Sequence, residues 1–142
     1  MIFITDELDK TEKNILELVE NLGFKECKTI EAKDLFCGIS EKNDVLKEKD
    51  LYYAFIDIPQ YWGVRADGLN GAIYDNKTKK ANIYFKNPIE KRMVSRVEWI
   101  DRNNTVYRID YYNKYGYKYC SENVRGGNVT SREFYDRNGD IK

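Results

Sequence analysis

The last third of the chain alternates short, aromatic-rich runs with turn dipeptides at nearly even spacing. Asn and Gly adopt the positive φ angles that tight hairpin turns require, and they supply most of the turn positions. The pattern predicts strands over residues 94–101, 105–112, 117–123 and 129–136. The intervening turns are Asn103-Asn104, Tyr115-Gly116 and Gly126-Gly127, with Asn138-Gly139 after the last strand. This segment is therefore predicted to fold as an up-and-down β-meander.

Strand-like sequence also precedes the meander, as an aromatic corner at 61–64 and a hairpin pattern formed by 68–75 and 81–86. Residues 51–58 are continuously apolar or aromatic until Pro59 ends the run. In all, roughly seven strands are expected over residues 51–142. The final turn opens onto only a short tail, so we expect the chain to be part of a longer protein.

The first 50 residues carry the most regular helical pattern of the chain. One apolar stripe at helical spacing is formed by Leu8, Ile15, Leu18, Val19 and Leu22. Asp9 and Glu12 have capping-box spacing, and Gly23 is a typical stop after a helix. The pattern predicts a helix over about residues 7–22, with short strands at 2–4 and 24–32.

Together these signals predict an α+β fold. Its main part is an antiparallel, twisted β-meander sheet of roughly seven strands, with the one main helix packed against it. Residues 1–50 are expected to form a strand–helix–strand cap and residues 51–142 the meander. We expect both to belong to one structural unit, because a chain of 142 residues usually builds a single core of moderate size.

The composition excludes several functional classes. Lys+Arg and Asp+Glu balance at 24 each, so no net positive field favours nucleic acid as a partner. The chain has no histidine, and its cysteines have no C-x-x-C spacing, so the usual general base and the usual zinc ligands are missing. No glycine-rich phosphate loop is present either. We therefore predict no catalytic, cofactor-binding or metal-binding residues, and no cofactor.

Three sequence features bear on location. Cys27, Cys37 and Cys120 are scattered and odd in number, as is typical of reduced thiols. The N-terminus becomes acidic too early for a secretory signal. No segment approaches the roughly 18 consecutive apolar residues of a membrane span. We predict a cytoplasmic protein that can also lie peripherally at the inner face of the cell membrane.

Residues 136–140, with the sequence Asp-Arg-Asn-Gly-Asp, superficially resemble an acidic calcium loop. The further ligands and the terminal glutamate of an EF-hand are missing from the sequence that follows. We therefore predict a type I or I′ turn here instead.

Aromatic and basic side chains alternate along the meander strands. Tyrosine rings stack on bases and sugars, but tyrosine is also favoured in half-exposed strands whatever their function. Tyr, Trp and Arg are further enriched at the anchors of protein interfaces. The residues that we predict to form a protein-binding surface are Trp99, Tyr107, Arg108, Tyr111, Tyr112, Tyr117 and Tyr119.

Two alternatives exist for the most prominent of these side chains. If Trp99 or Tyr107 anchors the interface, its replacement by alanine should cost about 2 kcal/mol or more of association free energy. The other alternative, held equal to the first, is that Trp99 is simply a residue of the hydrophobic core.

The turn at Asn103-Asn104 also predicts a strand register. A two-residue turn pairs Ile100 with Tyr107, Trp99 with Arg108, and Glu98 with Ile109. Alternation then places apolar or aromatic side chains on both faces of the sheet, so each face needs something to cover it.

Three segments of the meander resemble a known family. They are 91–101 with its Trp99, 108–116 (Arg-Ile-Asp-Tyr-Tyr-Asn, then Gly116), and 132–139 (Arg-Glu-Phe-Tyr-Asp, then Gly139). They are similar to the meander of the accessory Sec system glycosyltransferase pair, and related meanders occur as insertions in teichoic-acid-type glucosyltransferases. The whole chain, including Ile56-Asp57-Ile58-Pro59 and Trp62, most resembles the N-terminal region of the stabilising (chaperone) subunit.

The resemblance implies a protein that is similar in fold to GT-B glycosyltransferases but is not credited with catalysis. In that family the stabilising subunit pairs with the catalytic N-acetylglucosaminyltransferase subunit and helps to hold a serine-rich repeat adhesin as acceptor. The sheet is then expected to mediate these contacts, with the nucleotide-sugar site elsewhere. A homodimer through an open sheet edge is a further expected partner state.

Two other functions fit the same residues. One is the inserted meander of a catalytic GT-B glycosyltransferase. The other is a free-standing carbohydrate-binding meander.

Overall fold

The computed structural model describes residues 2–5, 21–23, 28–31 and 49–142. The chain divides into two compact units, Met1–Asp44 and Val45–Lys142. In the first unit, β1 (Ile2–Thr5) pairs in parallel with β2 (Lys28–Glu31), so both strands predicted there are present. Parallel neighbours need a crossover connection between them, as a strand–helix–strand unit would supply.

The prediction of one main helix packed against the sheet is not borne out. Residues 7–20 of that helix lie outside the described residues, and of its end only Asn21 has helical backbone, before a turn at Leu22-Gly23. In the described part of the second unit, the helical elements are two 3-10 turns, Tyr53–Phe55 and Ile89–Lys91.

The second unit contains a seven-stranded antiparallel sheet whose strands follow one another in chain order. This confirms the predicted meander. The strands are β3 (Trp62–Asp67), β4 (Asn70–Asp75), β5 (Thr78–Phe85), β6 (Val94–Ile100), β7 (Val106–Tyr112), β8 (Lys118–Arg125) and β9 (Asn128–Phe134). The aromatic corner expected at 61–64 is in fact the beginning of β3.

One face of the sheet, here called the core face, carries the apolar core. Ile73 of β4 lies opposite Ala81 of β5, and Ile83 of β5 lies opposite Val97 of β6. All four side chains are fully buried. The opposite side of the sheet is here called the outer face. The two faces arise because successive side chains of a strand point to opposite sides.

The apolar run at 51–58 covers the core face instead of joining the sheet as a strand. Its 3-10 turn brings Ile56 into the core cluster, and Leu51, Tyr53 and Ile58 pack against the same cluster. The backbone is fixed by a 2.7 Å hydrogen bond from the Val94 amide to the Leu51 carbonyl. A sheet with one apolar face is stable only when another layer covers that face.

Three turns of the meander have the same construction, starting at Asp101, Asn113 and Asp136. In each, the side-chain Oδ1 accepts hydrogen bonds from the amides two and four residues ahead, at 2.8–3.4 Å. The fourth residue of each turn has a positive φ, at Asn104, Gly116 and Gly139. Residues 136–140 therefore form a turn, as predicted, and Oδ1 of Asp136 is occupied by backbone N–H groups.

The turn at Asp101 changes the register that a two-residue loop would give. Trp99 lies opposite Arg108 and Glu98 opposite Ile109, as predicted. Ile100, however, lies opposite Val106, so the predicted pairing of Ile100 with Tyr107 is wrong. The loop is wider than two residues, and the extra residue produces a β-bulge.

Candidate functional site

On the core face, a polar cluster lies beyond the apolar core, across β6, β7 and β8. Asp110 is its centre and is 5% exposed. Its Oδ2 accepts a 2.7 Å hydrogen bond from Nε1 of Trp99. Its Oδ1 accepts from Nε of Arg108 at 2.8 Å and from the hydroxyl of Ser121 at 2.5 Å. Three donors thus compensate for burying the carboxylate.

The cluster leaves two large side chains accessible. Trp99 and Arg108 are half-buried, and Arg108 also donates a 3.0 Å hydrogen bond to the Ser121 hydroxyl. Because Asp110 holds both side chains, they present a fixed surface of one aromatic and one cationic group. Trp99 also packs against the edge of the apolar core, so it belongs in part to the core and in part to this surface.

The other predicted interface residues are distributed over the whole meander. Tyr112 packs against the apolar core, and burial raises the pKa of its phenol. Tyr107 is 49% exposed at the bulge beside Arg108, whereas Tyr119 is buried and Tyr117 half-buried. The structure therefore brings Trp99 and Arg108 together, but it does not gather the whole predicted set.

Tyr111 belongs to a second cluster, on the outer face. Its hydroxyl donates a 2.8 Å hydrogen bond to Oε2 of Glu122, whose Oε1 accepts a 2.7 Å hydrogen bond from Nε of Arg132. Burial and the bond to Glu122 raise the pKa of Tyr111 above its ordinary value. Glu122 itself is buried, so these two partners stabilise a carboxylate that would otherwise be costly to desolvate.

Two stacked arginine–tyrosine pairs on the outer face were missed by the sequence analysis. The guanidinium of Arg65 lies 4.9 Å from the ring centroid of Tyr74, and that of Arg96 lies 4.1 Å from the ring centroid of Tyr84. Tyr84 and Arg96 are direct cross-strand neighbours. The signal available in the sequence was the alternation along β5, but the pairing becomes visible only when the register is known.

Few groups in the described residues suit catalysis or metal binding. No group of three or more His, Cys, Asp or Glu side chains in the described ranges could hold a metal ion. Burial raises the pKa of the Cys120 thiol to about 11, so the thiolate that a nucleophile needs is disfavoured. In the same part of the chain, no helix is long and apolar enough to span a membrane.

Comparisons with known proteins identify relatives of the chain. The "UDP-N-acetylglucosamine--peptide N-acetylglucosaminyltransferase stabilizing protein GtfB" of Streptococcus agalactiae is 25% identical over 152 residues, which cover 98% of this chain and 34% of that protein. The protein of the same name from Limosilactobacillus reuteri subsp. suis is 33% identical over 92 residues, covering 65% of this chain and 21% of the relative. The chain thus spans about a third of the length of these relatives or less.

Solved structures have the same fold. A crystal structure of a GtfA/B complex bound to UDP and GlcNAc matches with a TM-score of 0.80 at 19% identity, covering 100% of this chain and 34% of that one. The pneumococcal O-GlcNAc transferase GtfA, in complex with UDP and GlcNAc, matches with a TM-score of 0.60 at 22% identity, covering 99% of this chain and 27% of that one.

A family model ties the sheet to one part of these relatives. The model described as the GtfB middle domain matches residues 62–142, which run from the first residue of β3 to the last residue of the chain. This match covers more than half of the chain and all seven strands of the meander sheet. The chain belongs to the GtfB family, and its meander sheet corresponds to the middle domain of that family.

Proposed function

We propose that this chain is a non-catalytic protein-interaction part of a glycosyltransferase-stabilising subunit. Its partner is a catalytic N-acetylglucosaminyltransferase subunit, and together they hold a serine-rich acceptor protein. The names of the relatives, which are stabilising proteins of a peptide N-acetylglucosaminyltransferase, support this proposal. So does the similarity in fold to a chain crystallised in a GtfA/B complex. The proposed location is the cytoplasm.

The observation that carries the proposal is the fixed, half-exposed pair Trp99 and Arg108. The exposed Tyr107 precedes Arg108 in the chain. Trp, Tyr and Arg dominate the energetics of protein interfaces when they are presented near the centre of a contact. Asp110 holds Trp99 and Arg108 before any partner arrives. Side chains that are already ordered lose less conformational entropy on binding, so such a pair is suited to anchor a partner.

A second mode of association is proposed for the isolated chain. The edge strands of an open sheet present backbone N–H and C=O groups that can pair with another copy. At β3 part of this edge is occupied, because the Ala66 carbonyl accepts a 3.0 Å hydrogen bond from Arg92 and the Trp62 amide donates to Pro59 at 3.1 Å. A homodimer is therefore expected to use the middle of β3 or the edge of β9.

The test is light scattering coupled to size-exclusion chromatography, with this chain alone and mixed with the candidate catalytic subunit. A defined hetero-complex is expected. Titration of the Tyr107→Ala variant should then show association weakened by about 30-fold. Tyr107 is suited to this test because it is exposed, so its loss leaves the fold intact.

The matched control is Val129→Ala, an exposed apolar residue of β9 that is 46% accessible. It should bind the partner as the unaltered chain does. A chain that stays monomeric and ignores the catalytic subunit would overturn the proposal. A complex with unchanged affinity in Tyr107→Ala would remove Tyr107 from the interface.

A further inference from the structure

A cleft lies at one end of the sheet, between the two-residue turn that joins β3 to β4 and the loop that joins β5 to β6. The turn contributes Gly68 and Leu69 to its lining, and the loop contributes residues 87–90 and Arg92. The volume of the cleft is about 590 Å³. This is the size of a pocket for a small molecule or for the end of a peptide, and it is too small for a folded domain.

Arg92 is held in a fixed position in the lining of this cleft. Its Nη1 donates a 3.0 Å hydrogen bond to the Ala66 carbonyl, and its guanidinium carbon lies 5.8 Å from the ring centroid of Tyr53. The Arg92 amide also donates a 2.9 Å hydrogen bond to the Ile89 carbonyl. A φ of 53° is unfavourable for a residue with a long side chain, and such conformations concentrate at ligand-binding positions. The guanidinium is therefore ordered before a ligand arrives.

The charge of Arg92 has no carboxylate partner among the described residues. The groups that contact its guanidinium are a neutral carbonyl and an aromatic ring. Glu90 lines the same cleft, but within the described part of the chain it forms no ion pair with Arg92. A guanidinium is a planar fork of N–H donors that matches the two oxygens of a carboxylate. Glu90 repels a doubly charged phosphate more strongly than a carboxylate, so the carboxylate is the better ligand.

The rest of the lining suits an aliphatic side chain. Leu69 is 70% exposed at the tip of the β3–β4 turn, and Pro88 and the half-buried Ile89 line the same space. Apolar surface that is left in water gains free energy when a ligand covers it. The side chain of Asn87 adds hydrogen-bond donors and an acceptor for a peptide group. A carboxylate beside an aliphatic side chain is the chemistry of a polypeptide C-terminus.

The edge of β3 leads into the cleft. Asp67 and Asn70 flank a two-residue turn and form a hydrogen-bonded pair, so the backbone groups of Val64 point away from β4. The Ala66 carbonyl has the same direction, since it accepts the hydrogen bond from Arg92. No backbone group of the described residues pairs with the N–H or C=O of Val64 on this side. An extended segment can add to this edge and bring its C-terminus to Arg92.

We propose that the cleft binds the free C-terminus of a polypeptide that ends in an aliphatic residue. Arg92 pairs with the terminal carboxylate, Leu69 and Ile89 contact the last side chain, and the residue before it pairs with β3 at Val64. This site goes beyond the proposed function, because the proposed partner surface at Trp99 does not line the cleft. Neither the catalytic subunit nor the serine-rich acceptor is needed to fill it.

The test is an NMR titration of this chain with the N-acetylated hexapeptide Gly-Gln-Asn-Thr-Val-Leu, which carries a free C-terminal carboxylate. Saturable shifts are expected for Val64, Leu69 and Arg92, with a dissociation constant on the order of 0.5 mM. The same peptide with a C-terminal amide should bind at least about tenfold more weakly, because it lacks the charge that pairs with the guanidinium. An absence of saturable shifts at about 5 mM peptide, or equal binding of the acid and the amide, would overturn the proposal.

N-acetyl-leucine separates a polypeptide end from a free amino acid. It has the same carboxylate and side chain but no segment that can pair with β3. It should therefore bind at least about fivefold more weakly than the hexapeptide. Equal affinity for the two ligands would refute the pairing at Val64 and with it the assignment of a polypeptide.

Two variants locate the site. Arg92→Lys keeps the positive charge but loses the planar fork, and it should weaken peptide binding by at least about tenfold. Leu69→Ala removes an exposed side chain and should weaken binding by at least about fivefold. Thermal melts establish that both variants fold, and if Arg92→Lys does not, Leu69→Ala decides. Unchanged peptide binding in either folded variant would contradict the proposal.

The matched control is Val129→Ala on the opposite edge strand, β9, which must bind the peptide as the unaltered chain does. Tyr107→Ala separates this proposal from the proposed function, since it removes the proposed partner anchor and should retain peptide binding. Weakened association with the catalytic subunit and intact peptide binding in Tyr107→Ala would support both proposals. A chain that binds the catalytic subunit but not the peptide would overturn the cleft alone.

Discussion

The indole Nε1 of Trp99 donates a 2.7 Å hydrogen bond to Oδ2 of Asp110, a nearly buried carboxylate on the neighbouring strand. This hydrogen bond gives the Trp99 side chain a fixed orientation at the edge of the hydrophobic core. It also makes the burial of Asp110 depend on Trp99, because an ionised carboxylate away from water needs every donor it has.

Replacing Trp99 by phenylalanine should therefore destabilise the fold beyond the loss of ring area. The ring still packs, but Asp110 loses one of its three donors, at a cost of about 1–3 kcal/mol. Urea unfolding measures the difference. Tyr107→Phe is the control, since this exposed side chain should change stability by no more than about 0.5 kcal/mol. Equal stability of Trp99→Phe and the unaltered chain would show that the indole bond contributes nothing.

Gly71 on β4 has too little space for a side chain without a shift of its neighbours. A Cβ at this position would lie 3.0 Å from the Arg65 carbonyl oxygen and 3.2 Å from Cβ of Ile83, inside the packed core face. Gly71→Ala should cost about 1–3 kcal/mol of unfolding free energy, because a packed core resists added volume.

The neighbouring strand provides the control for this substitution. Gly63 on β3 has nothing within 4 Å of the position of an added Cβ. Gly63→Ala should therefore be close to neutral, and urea titrations of both variants test the contrast. Two variants of equal stability would refute the packing argument for Gly71.

The common construction of the three turns makes a prediction for Asn104. This residue has a φ of 60° at the position that glycine occupies in the other two turns. Asn104→Gly should change the free energy of unfolding by no more than about 1 kcal/mol, since glycine adopts this conformation without steric cost. Asn104→Ala should lose about 1 kcal/mol, because a left-handed conformation is unfavourable for alanine. Thermal melts that rank alanine above glycine would contradict this expectation.

Stability should decrease at alkaline pH. Burial raises the pKa of the Cys120 thiol from its ordinary value near 9 to about 11. Between these values the unfolded chain binds fewer protons than the folded chain, so the free energy of unfolding falls as pH rises. The contribution is fully present below pH 9 and is lost as pH rises towards about 11. Tyr111 adds to the loss above about pH 10, since its pKa is raised as well.

Urea unfolding at a series of pH values from about 8 to 11 tests this dependence. Cys120→Ala should flatten the decline, by about 1–2 kcal/mol over the range, because it removes the thiol that titrates. An unaltered slope in Cys120→Ala would assign the alkaline loss to the tyrosines alone.

The strands and turns of the meander were predictable because their signals are local. A turn needs a residue with positive φ at one position and a side-chain acceptor at another, and both lie within five residues, as in Asp136 and Gly139. The parts that failed depend on distant residues. The bulge that moves Ile100 opposite Val106 follows from the width of the Asp101 turn and from packing across two strands.

The candidate site was also predictable only in part. Trp99 and Arg108 could be placed opposite each other because the turn between their strands fixes most of the register. Asp110, the buried partner of both side chains, could not be recognised as such from the sequence. The local sequence around an acidic residue in an aromatic strand is the same whether its side chain faces water or a tryptophan. The Arg65–Tyr74 and Arg96–Tyr84 stacks were missed for the same reason.

The sequence by itself determined that the second unit of this protein is a meander, where its turns lie, and which family it belongs to, because turn chemistry and strand alternation act over a few residues. Only the tertiary structure decided which face is the core, that residues 51–58 cover that face, and which charged side chains meet across strands. These choices depend on burying apolar area and satisfying buried polar groups between segments far apart in the chain, and no local pattern contains that information.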